Sequence, residues 1–300
     1  MKRRAFIRLT LPLAIVGRLD AEPAVAAELS FGVIADPQYA DAETAGTRFY
    51  RKSLGKLETA IQDLNRHELA YVTTLGDLID RDLMSFDAVM PIYDKLRHPH
   101  FPICGNHDFS VEDADKSKVL EKLKLPSAYY SKSIAGWRCI FLDGTDVAVY
   151  RHPSNDTRTA EARKRMQELK QAGKTQAQEW NGGIGPEQMV WLEKELVAAR
   201  EARQRVILFN HYPVFPAGGY NLWNADELLE LIGKNDLIVA YMNGHKHAGN
   251  YATHQGCHFL NFKGMVETEN DTAYAIVRCF PDRLEIEGYG QEPDRKLGKL

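Results

Sequence analysis

Short apolar runs alternate along the chain with stretches in which apolar residues recur every three or four positions. This is the pattern of strands alternating with amphipathic helices in an α/β protein. Phe31-Gly32-Val33-Ile34-Ala35 reads as a buried strand that stops at Asp36-Pro37-Gln38. Leu54, Leu57, Ile61 and Leu64 fall at helical spacing and predict a helix over about 47–66. Tyr71–Leu75 predicts a second strand, stopping at Gly76-Asp77, and a helix is expected over 85–97. Phe101–Cys104 is a short third strand ending at Gly105-Asn106-His107-Asp108, and Arg138–Leu142 is a fourth. From 143 to 186 the chain turns polar, with a charged helix expected near 159–172 and a turn at Asn181-Gly182-Gly183. An excursion of that length in a compact domain tends to be functional. A helix from Pro186 to about Arg203 precedes a strand at Val206–Phe209, which stops at Asn210-His211. Leu237–Tyr241 then runs into Gly244-His245-Lys246-His247, and the tail predicts antiparallel strands near 257–262, 273–279 and 284–289. No repeat or linker divides this body, so residues 27–300 are expected to form a single domain.

The first residues follow another pattern. Lys2, Arg3 and Arg4 precede a short apolar stretch, and Ala24-Val25-Ala26 supplies small residues at the spacing of a cleavage site. Basic start, apolar middle and small-residue site are the parts of a secretory signal. The string Arg3-Arg4-Ala5-Phe6-Ile7-Arg8 also resembles the twin-arginine export signal. The expectation is a signal peptide over 1–26 read by export machinery, and a periplasmic protein. The alternative is an amphipathic helix that stays on a cytoplasmic chain, as Arg18, Asp20 and Glu22 would suit. Cleavage after Ala26 would move the formal charge from −3 to −6.

Composition narrows the function classes. A hydrophobic fraction of 44% and a charged fraction of 26% are those of a globular protein. The net charge of −3 gives no global basic field for nucleic acid, and the apolar N-terminal run is too short for a membrane span. Cys104, Cys139, Cys257 and Cys279 match no zinc spacing and lie in or beside apolar runs, as buried free thiols do.

Five strands end in Asp, Asn or His, and in α/β sheets ligands bind beyond the carboxyl ends of strands. Those residue types, gathered at one edge, suit a pair of divalent cations with a bridging carboxylate. Asp77 is the natural bridge. Asp36, Gln38 and His247 would complete one ion's ligands, and Asn106, His211 and His245 the other's. Metal binding lowers the pKa of water, giving a nucleophile at neutral pH for in-line attack on phosphorus. His107, beside Asn106 on the turn, is placed as general acid for the leaving oxygen or as a donor to the phosphoryl oxygens.

Asp36-x-Gln38, Gly76-Asp77-x-x-Asp80, Gly105-Asn106-His107-Asp108, Asn210-His211 and Gly244-His245-x-His247 resemble the five ordered motifs of the calcineurin-like metallophosphoesterases. The resemblance implies an αββα four-layer sandwich, mixed sheets flanked by helices, with the site at the carboxyl ends of the central strands. It implies the same roles for these residues. Gln38 stands where the superfamily usually has His. An amide oxygen is the harder donor, so this site is expected to favour Mn²⁺, with Mg²⁺ or Fe²⁺ as substitutes, over zinc. The alternative is that Gln38 does not ligate and the site is weak.

Further strings resemble one subfamily, the manganese-dependent ADP-ribose/CDP-alcohol diphosphatases. They are Gly46-Thr47-Arg48, Trp180-Asn181-Gly182-Gly183, Leu222-Trp223-Asn224, Gly249-Asn250-Tyr251 and Gly264-Met265-Val266-Glu267-Thr268. The resemblance implies hydrolysis of nucleoside diphosphate-linked sugars or alcohols. Tyr39 and Phe109 are candidates to stack on a nucleobase, or else rings that pack the loops. Arg48 is a candidate phosphate contact or a solvated side chain, and Asn181, Gly182 and Gly183 are a close ligand approach or a plain turn. A cyclic-nucleotide or broad phosphodiesterase would use the same centre and is the enzymatic rival. A protein phosphatase fits less well, with Asp82 in place of Gly, and a purple acid phosphatase fails because Asp80 replaces the iron-binding Tyr. An inactive metal- or nucleotide-binding scaffold would be expected to have lost a ligand, and all seven are present.

Overall fold

The computed structural model describes residues 26–298, so the expected signal peptide lies outside the described residues apart from Ala26. Twelve strands form two six-stranded sheets. The first, in the order β12-β11-β10-β1-β2-β3, comprises Arg295–Gly298, Arg283–Gly290, Ala273–Cys279, Leu29–Ile34, Tyr71–Leu75 and His100–Ile103. The second, β4-β5-β6-β7-β9-β8, comprises Tyr130–Ile134, Trp137–Phe141, Arg205–Phe209, Ile238–Asn243, Cys257–Asn261 and Asn250–His254. Each sheet has a parallel part: β1, β2 and β3 form one half of the first, ending at its edge, and β5, β6, β7 and β9 the centre of the second. Antiparallel strands complete each sheet. The 257–262 run therefore pairs parallel with β7 as well as antiparallel with β8, against the expectation of a purely antiparallel tail.

Continuous apolar runs arise because the central strands are covered on both faces. In β5, Trp137, Cys139 and Phe141 face the space between the sheets while Ile140 faces the outer helices. Phe31 stacks on Tyr71 at 4.8 Å within its sheet and meets Phe209 of the other edge-on at 5.7 Å. Outside the first sheet lie α1 (Ser53–Leu64) and α2 (Ser85–Tyr93), whose Leu57, Ile61, Leu64 and Phe86 pack on Ile34 and Val72. A one-turn α3 (Val119–Lys122) follows β3. Outside the second sheet, α5 (Pro186–Glu201) and α6 (Ala225–Gly233) cover Ile140, Leu208 and Tyr241. The four layers are those of an αββα sandwich.

The 143–186 excursion holds α4 (Thr157–Gln171), capped by the Asp156 carboxylate, which accepts from Arg158 N at 2.9 Å. It returns to the body through paired bonds between Val147 and Gly183, both 2.9 Å, and through Gly182 O, which accepts from Trp223 N at 2.7 Å. All four cysteines are free and buried. Among the described residues no helix is long and apolar enough to cross a membrane.

Candidate dinuclear metal centre

Asp36, Asp77 and Asn106 leave the carboxyl ends of β1, β2 and β3, and His211 and His245 leave those of β6 and β7. The two sheets thus deliver donors to one crest from opposite sides. Asp36 (φ 50°), Gln38 (φ 45°), Asp77 (φ 54°) and His245 (φ 68°) all adopt the left-handed conformation, which costs free energy in non-glycine residues. Their surroundings hold them there. His245 N donates to both Asp36 oxygens at 3.1 Å, Gln38 N to Asp77 O at 2.8 Å, and His107 N to Asp77 Oδ1 at 2.8 Å. Buried Asp108 accepts from the backbone of Gly105 (2.8 Å), Asp77 (3.0 Å), Leu78 (2.8 Å) and Ile79 (3.3 Å), stapling the turns after β2 and β3 together. At Gly105, a Cβ would lie 2.2 Å from Asp77 Oδ1, so only glycine admits the carboxylate there.

Two sets of donor atoms converge, Asp77 with His211 and His245, and Asp36 with Asp77 and His247, each set within 4.8 Å. Asp77 belongs to both. The ring tautomers follow from the outward bonds: His211 Nδ1 donates to Leu75 O at 2.7 Å, and His245 Nε2 to Asn181 Oδ1 at 2.9 Å. In the neutral rings the inward nitrogens therefore carry lone pairs. His211 Nε2 faces Asn106 Oδ1 at 3.1 Å, His245 Nδ1 at 3.1 Å and Asp77 Oδ2 at 3.3 Å. With His211 neutral these are four acceptors at close range, a set that suits a cation. On the other side His247 Nε2 lies 3.6 Å from Asp36 Oδ1 and 3.1 Å from Gln38 Nε2. The Gln38 oxygen is buried without a hydrogen-bond partner, and an amide offers oxygen or nitrogen in nearly the same shape. The donor set fits two cations.

The charged groups of the centre act strongly on one another. Burial alone would raise Asp77, yet the fields of His211 and His107 hold its carboxyl well below the usual range. Burial opposes charge on His211, but Asp77 lifts it to about 9. For His245 burial and the neighbouring His211 act together and push it well down.

All seven expected ligands are thus brought together. His107 sits beside them, its Nδ1 2.9 Å from Asp80 Oδ1 and its Nε2 3.4 Å from Arg48 Nη1. Arg48 therefore reaches the centre. Tyr39 is part-buried and pairs through its backbone with Ile79. Phe109 does not offer a free face: it is 2% exposed and Arg151 covers its ring at 4.2 Å. It packs its loop onto the core. Asn181 is buried, its Nδ2 donating to Gln176 O at 2.9 Å and Gly219 O at 2.7 Å, so it faces His245 and not solvent. Gly182 and Gly183 are held in the Trp223 and Val147 backbone contacts described above.

Reading the sequence missed Tyr220, whose half-exposed ring stands 5.7 Å from that of His245 and edge-on to it. Tyr220 and Lys246 line a cavity of about 310 Å³ together with Phe215 and Asn250. A second cavity, of about 400 Å³, opens past His247 and is lined by Thr47, Phe49, Lys263 and Glu267. No spacing singles out Tyr220. Glu267 lay inside a noted string with no role attached, and Asp80 was visible as the second acid after Gly76.

The family model described as calcineurin-like phosphoesterase matches residues 29–249. The chain is 30% identical to the manganese-dependent ADP-ribose/CDP-alcohol diphosphatase of Mus musculus, covering 92% of this chain and 96% of that protein. It is 29% identical to the protein of the same name from Arabidopsis thaliana, covering 86% of this chain and 93% of that one. Among solved structures it resembles a dimetal phosphatase from Danio rerio with a TM-score of 0.82 at 23% identity, covering 91% of this chain and 100% of that one.

Proposed function

The chain belongs to the calcineurin-like phosphoesterases, metal-dependent phosphoester hydrolases, and from that premise we propose that it cleaves the diphosphate of nucleoside diphosphate-linked compounds such as ADP-ribose and CDP-alcohols. The observation that carries the reading is the pair of donor sets sharing Asp77. The substrate class is supported by the names of relatives that match about nine-tenths of the chain. Two divalent ions would be held by Asp36, Gln38 and His247 on one side and Asn106, His211 and His245 on the other, with Asp77 shared, and would supply Lewis acidity and an activated water. We assign manganese as the favoured ion because Gln38 offers an amide oxygen where an imidazole would suit zinc.

The remaining chemistry belongs to side chains. Asp80 orients the His107 ring through Nδ1, leaving Nε2 toward Arg48 and the cleft. Burial opposes charge on His107, but Asp77 and Asp80 raise its pKa, and in its protonated form it would present Nε2–H to the departing phosphate oxygen. Arg48 brings a guanidinium for the negative charge on the phosphates. Two cavities, one lined by Tyr220 and Lys246 and the other by His247, suit a substrate with an arm on each side of its diphosphate. Tyr220, the exposed ring at the centre, is assigned to stack on the nucleobase, and Lys246 beside it to meet phosphate. The basic, apolar and small-residue pattern of residues 1–26 supports export to the periplasm.

Hydrolysis by the purified 27–300 chain with Mn²⁺ or Mg²⁺ tests the reading, using ADP-ribose, CDP-choline, cyclic AMP and an aryl phosphodiester. Release of AMP and CMP with a preference for Mn²⁺ is expected. A preference for cyclic AMP or the aryl diester would overturn the substrate and leave a broader phosphodiesterase. Cell fractionation tests the location, and an uncleaved chain in the cytoplasm would overturn export.

A further inference from the structure

The three histidines of the centre have their outward N–H groups bound by chemically different acceptors. His211 donates to the backbone carbonyl of Leu75 at 2.7 Å, His245 to the neutral amide of Asn181 at 2.9 Å, and His247 Nδ1 to the carboxylate of Glu267 at 2.6 Å. Asn181 cannot present its nitrogen instead, because both of its N–H groups already serve the carbonyls of Gln176 and Gly219. Glu267 is equally constrained. The ammonium of buried Lys56, on α1, donates to Glu267 O at 3.1 Å and Thr268 O at 3.0 Å. Thr268 N donates in turn to Thr47 O at 3.2 Å. The Glu267 segment is thereby fixed to the first helix and to the loop carrying Arg48.

We propose that Glu267 and Asn181 are positioning residues that act on different ions of the pair, so that the centre holds its two cations by unequal and separable means. Glu267 fixes the His247 ring with Nε2 inward and adds to the Gln38 side a negative charge beyond Asp36 and the shared Asp77. Asn181 fixes the His245 ring with Nδ1 inward and adds none. A charged acceptor makes an imidazole a stronger donor than a neutral one does, and loss of such a partner typically weakens metal binding 10- to 100-fold. The 143–186 excursion thereby supports one cation from outside the ligand set, and the segment after β9 supports the other. The inference rests on the metal-centre reading above but not on the identity of the substrate.

Titration of the purified chain with Mn²⁺ alone, followed by the electron paramagnetic resonance of the free ion, tests it without any substrate. The wild type should bind two equivalents; fewer than two would overturn the two-ion centre and this inference with it. Glu267→Ala should weaken one equivalent roughly 10- to 100-fold and leave the other unmoved. Glu267→Gln keeps an acceptor for Nδ1 but no charge, and should fall between the two. Asn181→Ala should weaken the equivalent that Glu267→Ala spares. In an Asp36→Asn background, which removes a ligand of the Gln38 side, Glu267→Ala should leave the surviving equivalent unchanged. Two equivalents at wild-type affinity in Glu267→Ala would overturn the proposal. So would equal weakening of both with a lowered Tm, the mark of a merely structural role.

Discussion

Asp77, Asn106, His211 and His245 leave the ends of strands buried on both faces, whereas Arg48, Asn181 and Tyr220 stand on loops that arch over those ends. A strand-end residue inherits its position from the whole sheet. Its backbone is tied into the neighbouring turn, as Asp77 is by Asp108, and strained φ values persist because so much around them is fixed. A loop residue inherits its position from a few hydrogen bonds. The bond from Asn181 to Gly219 O, for example, joins the excursion to the loop that carries Tyr220. The strand ends therefore carry the chemistry common to the family, and the loops are where a member's substrate preference is free to differ.

The comparison predicts that damage at the strand ends falls on every substrate and is the more severe, while damage on the loops is graded, falling on one ion or on one kind of substrate. Asp77→Ala should show the largest effect, loss of both ions and of metal-dependent turnover on every phosphoester. Metal analysis of the purified variant checks it, and retained activity would break the bridging assignment. His107→Ala comes next, with both ions retained and kcat lowered by ~10²–10⁴ if the imidazole supplies the proton. Metal loss in that variant would instead place His107 among the ligands.

How far each region was legible follows from the same contrast. The runs at 31–35 and 206–209 announced both strands and ligands, because a strand covered on two faces is apolar throughout and its first polar residue marks its end; in 71–75 the β-branched threonines Thr73 and Thr74 keep the strand pattern up to Gly76-Asp77. The helix expected from 47 begins as a helix proper only at Ser53, since the Thr47–Phe49 stretch bonds to the 266–268 segment, a tertiary contact no local periodicity records. Edge strands β4, β8 and β12 and helix α6 were not read at all; the polar, half-exposed positions of the edge strands carry little pattern. Phe109 and Asn181 were visible as residues, but not the direction they face. Arg151 and His245, far away in sequence, decide that.

Tyr220→Ala sharpens the comparison from the loop side. Removing a stacked ring costs about 1–3 kcal/mol per base, so KM for a nucleotide substrate should rise roughly 5- to 150-fold. Both Mn²⁺ equivalents and turnover of an aryl phosphodiester should be unchanged. An equal loss on both substrates would mean that the ring supports His245 and does not contact the base.

The smallest effect on turnover concerns the fold away from either region, and it separates acid damage to the sheets from acid damage to the centre. His100, at the start of β3, stacks on Tyr93 at 4.1 Å, and its Nε2 lies 2.9 Å from the Thr74 hydroxyl. That hydroxyl already donates to Tyr93 at 2.9 Å, so it accepts from His100 and the ring is a neutral N–H donor. Burial depresses the His100 pKa to about 3, with Asp94 raising it and Lys124 lowering it to smaller extents. The unfolded chain therefore takes up a proton near pH 6.5 that the folded chain refuses until about pH 3. The stabilisation is complete above pH 6.5 and is lost as pH falls toward 3, at no more than about 1.4 kcal/mol per pH unit. His100→Gln keeps a donor for Thr74 and cannot titrate. Urea unfolding of the chelated protein between pH 7 and pH 4 should show a shallower decline in the variant, with kcat at pH 7 unchanged. If the declines are parallel, His100 is protonated in the fold and the acid sensitivity belongs to the carboxylates and histidines at the strand ends.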